Sequence, residues 1–352
     1  MNFYPELMKF ADGREIKTAA DWQERRKELV EILGREEYGY WPEKPAKVTG
    51  TVYKKTGKCC SGHATLEFIN IYFETPKGMF SFPIKLILPN GDGKKPLFVF
   101  SNFRNDTYDM YCPTEEVVDN GFGIAIIYYN DITSDDNDLT NGIASLYDRD
   151  PETGWGKISM WAYCASCALD YLSTRPEIDM DNIAAIGHSR LGKTTLWFAA
   201  NDERVKYACV NGSGCAGAAY ERTKHEGGET VEDITRVFPY WFCGNYKKYC
   251  GKADEMPFDQ HFAIAACAPR YVIVGDATND AWADQYSSQL CLVGASPAWK
   301  FLGKEGYIGK EEPAVEGDRF ADGDLAYHLR NGVHFLGRCD WLSYINFIKS
   351  KM

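Results

Sequence analysis

Hydrophobic and polar positions change their spacing along this chain, and each change predicts a different element. Over residues 19–42, AADWQERRKELVEILGREEYGYWP, apolar residues recur at intervals of three and four, which predicts a helix ended by Pro42. TLEFINIYFET and SFPIKLILP alternate instead, rich in β-branched and aromatic residues, and flank a PKG turn. This predicts an antiparallel pair at a sheet edge. Beyond it the strands become short, unbroken apolar runs: PLFVFSNF, FGIAIIYYN, NIAAIGHS, YACVNGSG and YVIVGDAT. Unbroken runs suit a parallel sheet covered on both faces. Helical patterns lie between them, over 155–174, over 191–201 and around 258–268, and CDWLSYINFIKSKM closes the chain as another helix. Alternation of this kind predicts a doubly wound α/β sheet. With no linker or repeat, residues 1–352 read as one domain. The aromatic, weakly periodic stretch 214–257 reads as an insertion near the site.

Composition then narrows the partners. A chain of 352 residues, 45% hydrophobic and 25% charged, has ordinary soluble composition and ample core. A net charge of −11 argues against nucleic acid and anionic membranes, which need clustered Lys and Arg. There is no apolar run of about 18 residues, hence no expected membrane span. The opening MNFYPELMKFADGREI lacks the regions of a signal peptide. The expected location is cytoplasmic, with secretion after removal of a leader as the alternative. Cys164 and Cys167 have the spacing of a redox or zinc pair, but they fall within a helical pattern and no second pair exists. A zinc site needs three or four ligands, so helix packing is the expectation, with the twelve cysteines mostly free buried thiols that hold no metal or cofactor.

One segment carries the chemistry. IAAIGHSRLGKTTLW, residues 183–197, satisfies Gly187-x-x-x-x-Gly192-Lys193-Thr194, a phosphate-cradling P-loop. It also nearly satisfies the nucleophile elbow G-x-S-x-G, with Gly187, Ser189 and then Leu191 in the last place. A P-loop would need a metal-holding Asp on a second strand, and the candidate Asp276 lies more than eighty residues on. An elbow needs small neighbours, then an acid and a histidine further along. His328 and His334 follow every candidate strand. His334, in NGVHFL before the last helix, suits a general base, and His328 a structural neighbour. YVIVGDATNDAWAD offers Asp276, Asp280 and Asp284. Asp276 is close to the strand, Asp280 falls where a loop carboxylate could reach an imidazole, and Asp284 reads as a solvated loop residue.

GHSRLGK resembles the G-C-S-R-x-G-K signature of glucuronoyl esterases, carbohydrate esterase family 15, which tolerates the late glycine. GCAGAA, GGETVEDI, FPYWFCGNY, PFDQHFAIAACAPR and NDAWADQ are similar to segments of its bacterial members in the same order, as is the opening DWQERRKELVEILGREEYGYWP. The resemblance covers most of the chain. It implies an α/β-hydrolase fold, a three-layer sandwich with a mostly parallel central sheet. It also implies a metal-free serine esterase that cleaves esters between 4-O-methyl-glucuronic acid on xylan and lignin alcohols. In this reading Ser189 is the nucleophile, His334 the base and Asp280 the residue that orients it. Arg190 adds its N–H and guanidinium to the oxyanion hole, where each such donor is typically worth roughly 3–4 kcal/mol. Asn102 or Phe103 would offer a second backbone donor. Lys193, Glu229 and Trp282 would meet the sugar. The plain alternatives for these three are a surface lysine, a solvated loop residue and a core aromatic. The expected partner is a small-molecule or oligosaccharide substrate, bound by a monomer.

Two departures bear on the acid and the elbow. Fungal members place a Glu after the sixth strand, where Gly212 stands here, so Asp280 is the expected acid. They also pair a Cys before the nucleophile with one beside the catalytic His. Here those places hold His188 and Phe335, and His188 reads as an elbow packing residue. The rival readings are another carbohydrate esterase, acting for instance on acetyl-xylan, and a P-loop nucleotide binder.

Overall fold

The computed structural model describes residues 3–105 and 112–352. Its strands are β1 Val48–Cys59, β2 Ala64–Thr75, β3 Gly78–Pro89, β4 Lys95–Asn102, β5 Gly123–Tyr128, β6 Ile178–His188, β7 Val205–Asn211, β8 Tyr271–Ala277, β9 Arg319–Phe320 and β10 Leu325–Arg330. Its α-helices are α1 Ala19–Leu33, α2 Thr114–Asp119, α3 Lys157–Leu172, α4 Arg190–Asn201, α5 Val231–Val237, α6 His261–Ala265, α7 Gln285–Phe301 and α8 Arg338–Lys351. All ten strands form one sheet in the order β1-β2-β3-β5-β4-β6-β7-β8-β10-β9. From β5 through β4, β6, β7 and β8 to β10 every pairing is parallel; β1–β2–β3–β5 and β10–β9 are antiparallel.

The burial of each strand follows its pattern. In β2 exposure alternates along most of its length, as for a strand with one covered face, whereas the last six residues of β4 and of β6 are all buried. One large core joins α1, α3, α4, α6 and α7 to one face of the sheet. A second core sits under α2 and α8 on the other. This is a three-layer α/β-hydrolase architecture with a mostly parallel sheet. Among the described residues no helix is long and apolar enough to cross a membrane.

Three elements differ from their sequence patterns. The first helix stops short of 42: α1 ends at Leu33 and a π-turn carries the chain to Tyr38, whose buried ring stacks 4.5 Å from that of Trp197. The antiparallel pair is not the edge, because β1 lies outside it. And α7 runs through Pro297, a residue that breaks most helix interiors. Cys164 and Cys167 are free and buried in α3.

Candidate active site

Ser189 occupies the single residue between β6 and α4, with φ 58° and ψ −128°. A non-glycine residue at positive φ costs of order 1–3 kcal/mol and persists only where its surroundings hold it. Gly187 makes that turn possible: a Cβ there would stand 2.2 Å from the Leu191 carbonyl oxygen. The late glycine has its own reason, since a Cβ at Gly192 would approach the Asn211 carbonyl oxygen to 2.9 Å. Ser189 N–H donates to that same carbonyl at 2.8 Å. The Gly192 and Lys193 N–H groups donate to the Ser189 carbonyl at 2.8 and 3.1 Å, and the N–H groups of Arg190 and Leu191 lie at the helix start, the end of a helix that favours negative charge.

His334 lies in the loop after β10, and its Nδ1 is 2.5 Å from Asp280 Oδ2. Asp280, in the loop after β8, is 6% exposed. With Nδ1 tied to a carboxylate, Nε2 is left as the nitrogen able to take a proton. Two residues that the sequence reading did not single out pin this loop. Arg330 donates to the carbonyls of Val333, at 3.0 Å, and Phe335, and its Nε donates to Asp340 Oδ2 at 2.8 Å. Asp340 also holds His328 Nε2 at 2.9 Å, which makes His328 the structural neighbour expected of it.

The other two carboxylates of the acid segment have different environments. Asp276 is buried inside β8, with the hydroxyls of Tyr327 and Ser288 beside it. Burial, then the nearby Asp280, push its carboxyl well above the usual range. The solvated reading of Asp284 is overturned. It is 2% exposed, caps α7 by accepting from Ser287 N–H, and holds His225 Nδ1 at 2.8 Å. Burial opposes its ionisation, but these hydrogen bonds outweigh it and keep its carboxyl below the usual range. A helix start that the sequence reading did not place explains the error: the carboxylate is turned inward to cap it.

Arg190, the first residue of α4, forms an ion pair through Nη1 with Asp135 Oδ2. Its guanidinium also lies against the rings of Trp241 (4.5 Å), Phe238 (5.0 Å) and Phe103 (5.6 Å). Asn102 ends β4 and Phe103 follows it.

Lys193, one turn along α4, is 3% exposed rather than on the surface. Its ammonium donates to the carbonyl oxygens of Ser213 and Cys215 and lies 3.4 Å from Glu229 Oε2. Glu229 is likewise buried at 4%, and its N–H donates to the Trp282 carbonyl at 3.0 Å. Trp282 itself is 48% exposed, so it is not a core aromatic. Thr194 Oγ1 donates to the Arg190 carbonyl at 3.0 Å. The residues that would meet phosphate and magnesium in a P-loop are thus engaged with the protein itself. Ser189, Arg190, Lys193, Gly212, Ser213, Glu229, Phe238, Trp241, Trp282 and His334 line one cavity of about 220 Å³. The 214–257 stretch supplies several of these walls.

Comparison with known proteins decides the family. A family model described as "Glucuronyl esterase, fungi" matches residues 71–303. The chain belongs to the glucuronoyl esterases. Among related sequences, a carbohydrate esterase named MZ0003, from an unknown prokaryotic organism, is 33% identical over 99% of this chain and 89% of that protein. A 4-O-methyl-glucuronoyl methylesterase of Podospora anserina is 26% identical over 84% of this chain and 59% of that protein. Among solved structures, a glucuronoyl esterase from Solibacter usitatus superposes with a TM-score of 0.90 at 30% identity, covering 100% of this chain and 98% of that one. A carbohydrate esterase family 15 enzyme from a marine bacterial metagenome, described as promiscuous, gives 0.90 at 31% identity over the same shares.

Gly212 has φ 51°, and a Cβ there would come 3.2 Å from His188 Cε1 and 3.4 Å from His334 Cε1. A side chain at 212 would therefore be strained by the positive φ and crowded by both imidazoles.

Proposed function

We propose that this glucuronoyl esterase hydrolyses the ester between 4-O-methyl-glucuronic acid, carried on xylan, and alcohols of the lignin type. Ser189 Oγ attacks the uronate carbonyl while His334 Nε2 takes its proton. His334 then delivers that proton to the departing alcohol oxygen, leaving an acyl-enzyme that water cleaves by the same steps. Asp280 holds the imidazole in its tautomer and stabilises the imidazolium. The Arg190 N–H and guanidinium stabilise the oxyanion. Lys193 fixes Glu229, whose carboxylate keeps acceptor capacity for sugar hydroxyls, and Trp282 offers a partly exposed ring to the sugar face.

The observation that carries this reading is the shared cavity: a strained serine, an Asp-bound histidine and the Lys193–Glu229–Trp282 group line one small space. The names of the relatives, 4-O-methyl-glucuronoyl methylesterases, support the substrate class. The test is steady-state hydrolysis of benzyl glucuronate against 4-nitrophenyl acetate, with Ser189→Ala as control. Preference for the uronate ester, abolished by Ser189→Ala, is expected; preference for acetate sinks the substrate assignment. The promiscuous marine relative favours a second reading, broader ester acceptance. In that case both substrates turn over at comparable rates through Ser189.

A further inference from the structure

The side chain of Arg190 makes one hydrogen-bonded contact among the described residues, to Asp135. Its Nε is buried with no partner. The three rings around the guanidinium attract its charge, but a ring face sets no donor direction. Asp135 does. Its side chain is 8% exposed, and its second oxygen accepts from Trp241 Nε1 at 2.8 Å, while its carbonyl accepts from Tyr240 Oη at 2.9 Å.

The segment that carries Asp135 is itself fixed. Lys157 Nζ donates to Thr133 Oγ1 at 2.9 Å and to the Asp138 carbonyl at 2.7 Å, and Asn141 Oδ1 accepts from Ser134 N–H at 3.0 Å. Three parts of the chain thus converge on one carboxylate: the 133–141 loop, the first residue of α4, and the 238–241 segment that lines the cavity.

We propose that Asp135 is a positioning residue for the esterase reaction: it holds Arg190 by Nη1 so that the remaining guanidinium N–H groups are presented to the oxyanion. The assignment rests on the reading of Arg190 as an oxyanion donor. A carboxylate this close partly offsets the guanidinium charge, so its benefit is orientation. A donor that must be ordered during the reaction contributes less than one fixed beforehand. Asp135 is also the link through which the wall at Trp241 and the oxyanion donor keep a common geometry.

The test is a double-mutant cycle on benzyl glucuronate. Asp135→Asn leaves one acceptor oxygen for two donors. It is expected to lower kcat about tenfold or more with KM nearly unchanged. Arg190→Gln should cost about 10²–10³ in kcat, the usual loss of an oxyanion donor. The double variant should match Arg190→Gln alone, because Asp135 then has nothing left to aim. Two results overturn the assignment: a near-normal kcat in Asp135→Asn, or the same fold-loss from Asp135→Asn in both backgrounds, as independent sites give. Should Asp135→Asn fail to fold, Trp241→Phe removes the second donor and keeps an aromatic ring against Arg190. It is expected to give the same kcat-selective loss, absent in the Arg190→Gln background. A normal kcat in Arg190→Gln itself would bring down the oxyanion reading, and this assignment with it.

Discussion

The imidazoles of His188 and His334 lie 4.3 Å apart between ring centroids, and the protein keeps the first of them neutral. Asn211 Nδ2 donates to the Gly275 carbonyl and to Tyr344 Oη, both at 3.2 Å, which turns its Oδ1 toward His188. His188 Nδ1–H donates to that oxygen at 2.7 Å. Burial, then the neighbouring His334, push His188 down to about 3. An imidazolium forming at His334 therefore meets an uncharged neighbour.

A histidine kept neutral by the fold makes that fold sensitive to acid. The unfolded chain takes the proton near the ordinary value of about 6.5, and folded His188 only near 3. Its contribution is thus intact above about pH 6.5 and lost progressively as pH falls towards 3. His261, also pushed down to about 3 by burial, has the same sign. Melting temperatures recorded from about pH 8 to about pH 4 should fall with acidity, and His188→Gln should make that fall shallower. An unchanged slope in the variant would count against a neutral His188.

Asp280→Asn is expected to lower kcat by about 10³–10⁴, the scale of losing the carboxylate behind a catalytic imidazole. Asp276→Asn should leave kcat close to normal, since Asp276 is buried inside β8 and does not line the cavity. Asp284→Asn should cost stability before activity, because its carboxylate caps α7 and holds His225. Steady-state kinetics and melts on the three variants separate these roles. Equal kcat losses at Asp280 and Asp284 would show the acid to be misassigned.

Trp282→Ala should raise KM for uronate esters about tenfold, the equivalent of roughly 1–1.5 kcal/mol of ring contact, and leave hydrolysis of 4-nitrophenyl acetate almost unaffected. Its ring is 48% exposed, so the fold should tolerate the loss, and circular dichroism would check that.

Gly212→Glu, introduced into Asp280→Asn, should fail to restore activity. The new side chain would need φ 51° and the space beside His188 Cε1. Adding His188→Cys opens that space, and partial recovery of kcat is expected only in the triple variant. Recovery without the second change would mean that His188 does not block the site.

Much of this arrangement was legible in the sequence. The unbroken apolar runs foretold the parallel strands, and motif order brought Ser189, Asp280 and His334 forward, because those features are local. What was hidden depends on contacts between distant segments. Asp135 sits in a polar loop whose sequence gives no sign that Arg190 and Trp241 both reach it. Asp284 looked solvated because the start of α7, with Pro297 further along, was not recognised. The P-loop match stayed open as a rival for the same reason. Nothing in GKTT reveals that its lysine is turned inward onto the carbonyls of Ser213 and Cys215.

A cavity of about 220 Å³ lies below the usual size range of ligand pockets, near 300–1,000 Å³, and suits a single sugar ring. On the proposed reading, whatever bears that ring lies outside the cavity, and the ester need not sit at the end of a polymer chain to reach Ser189.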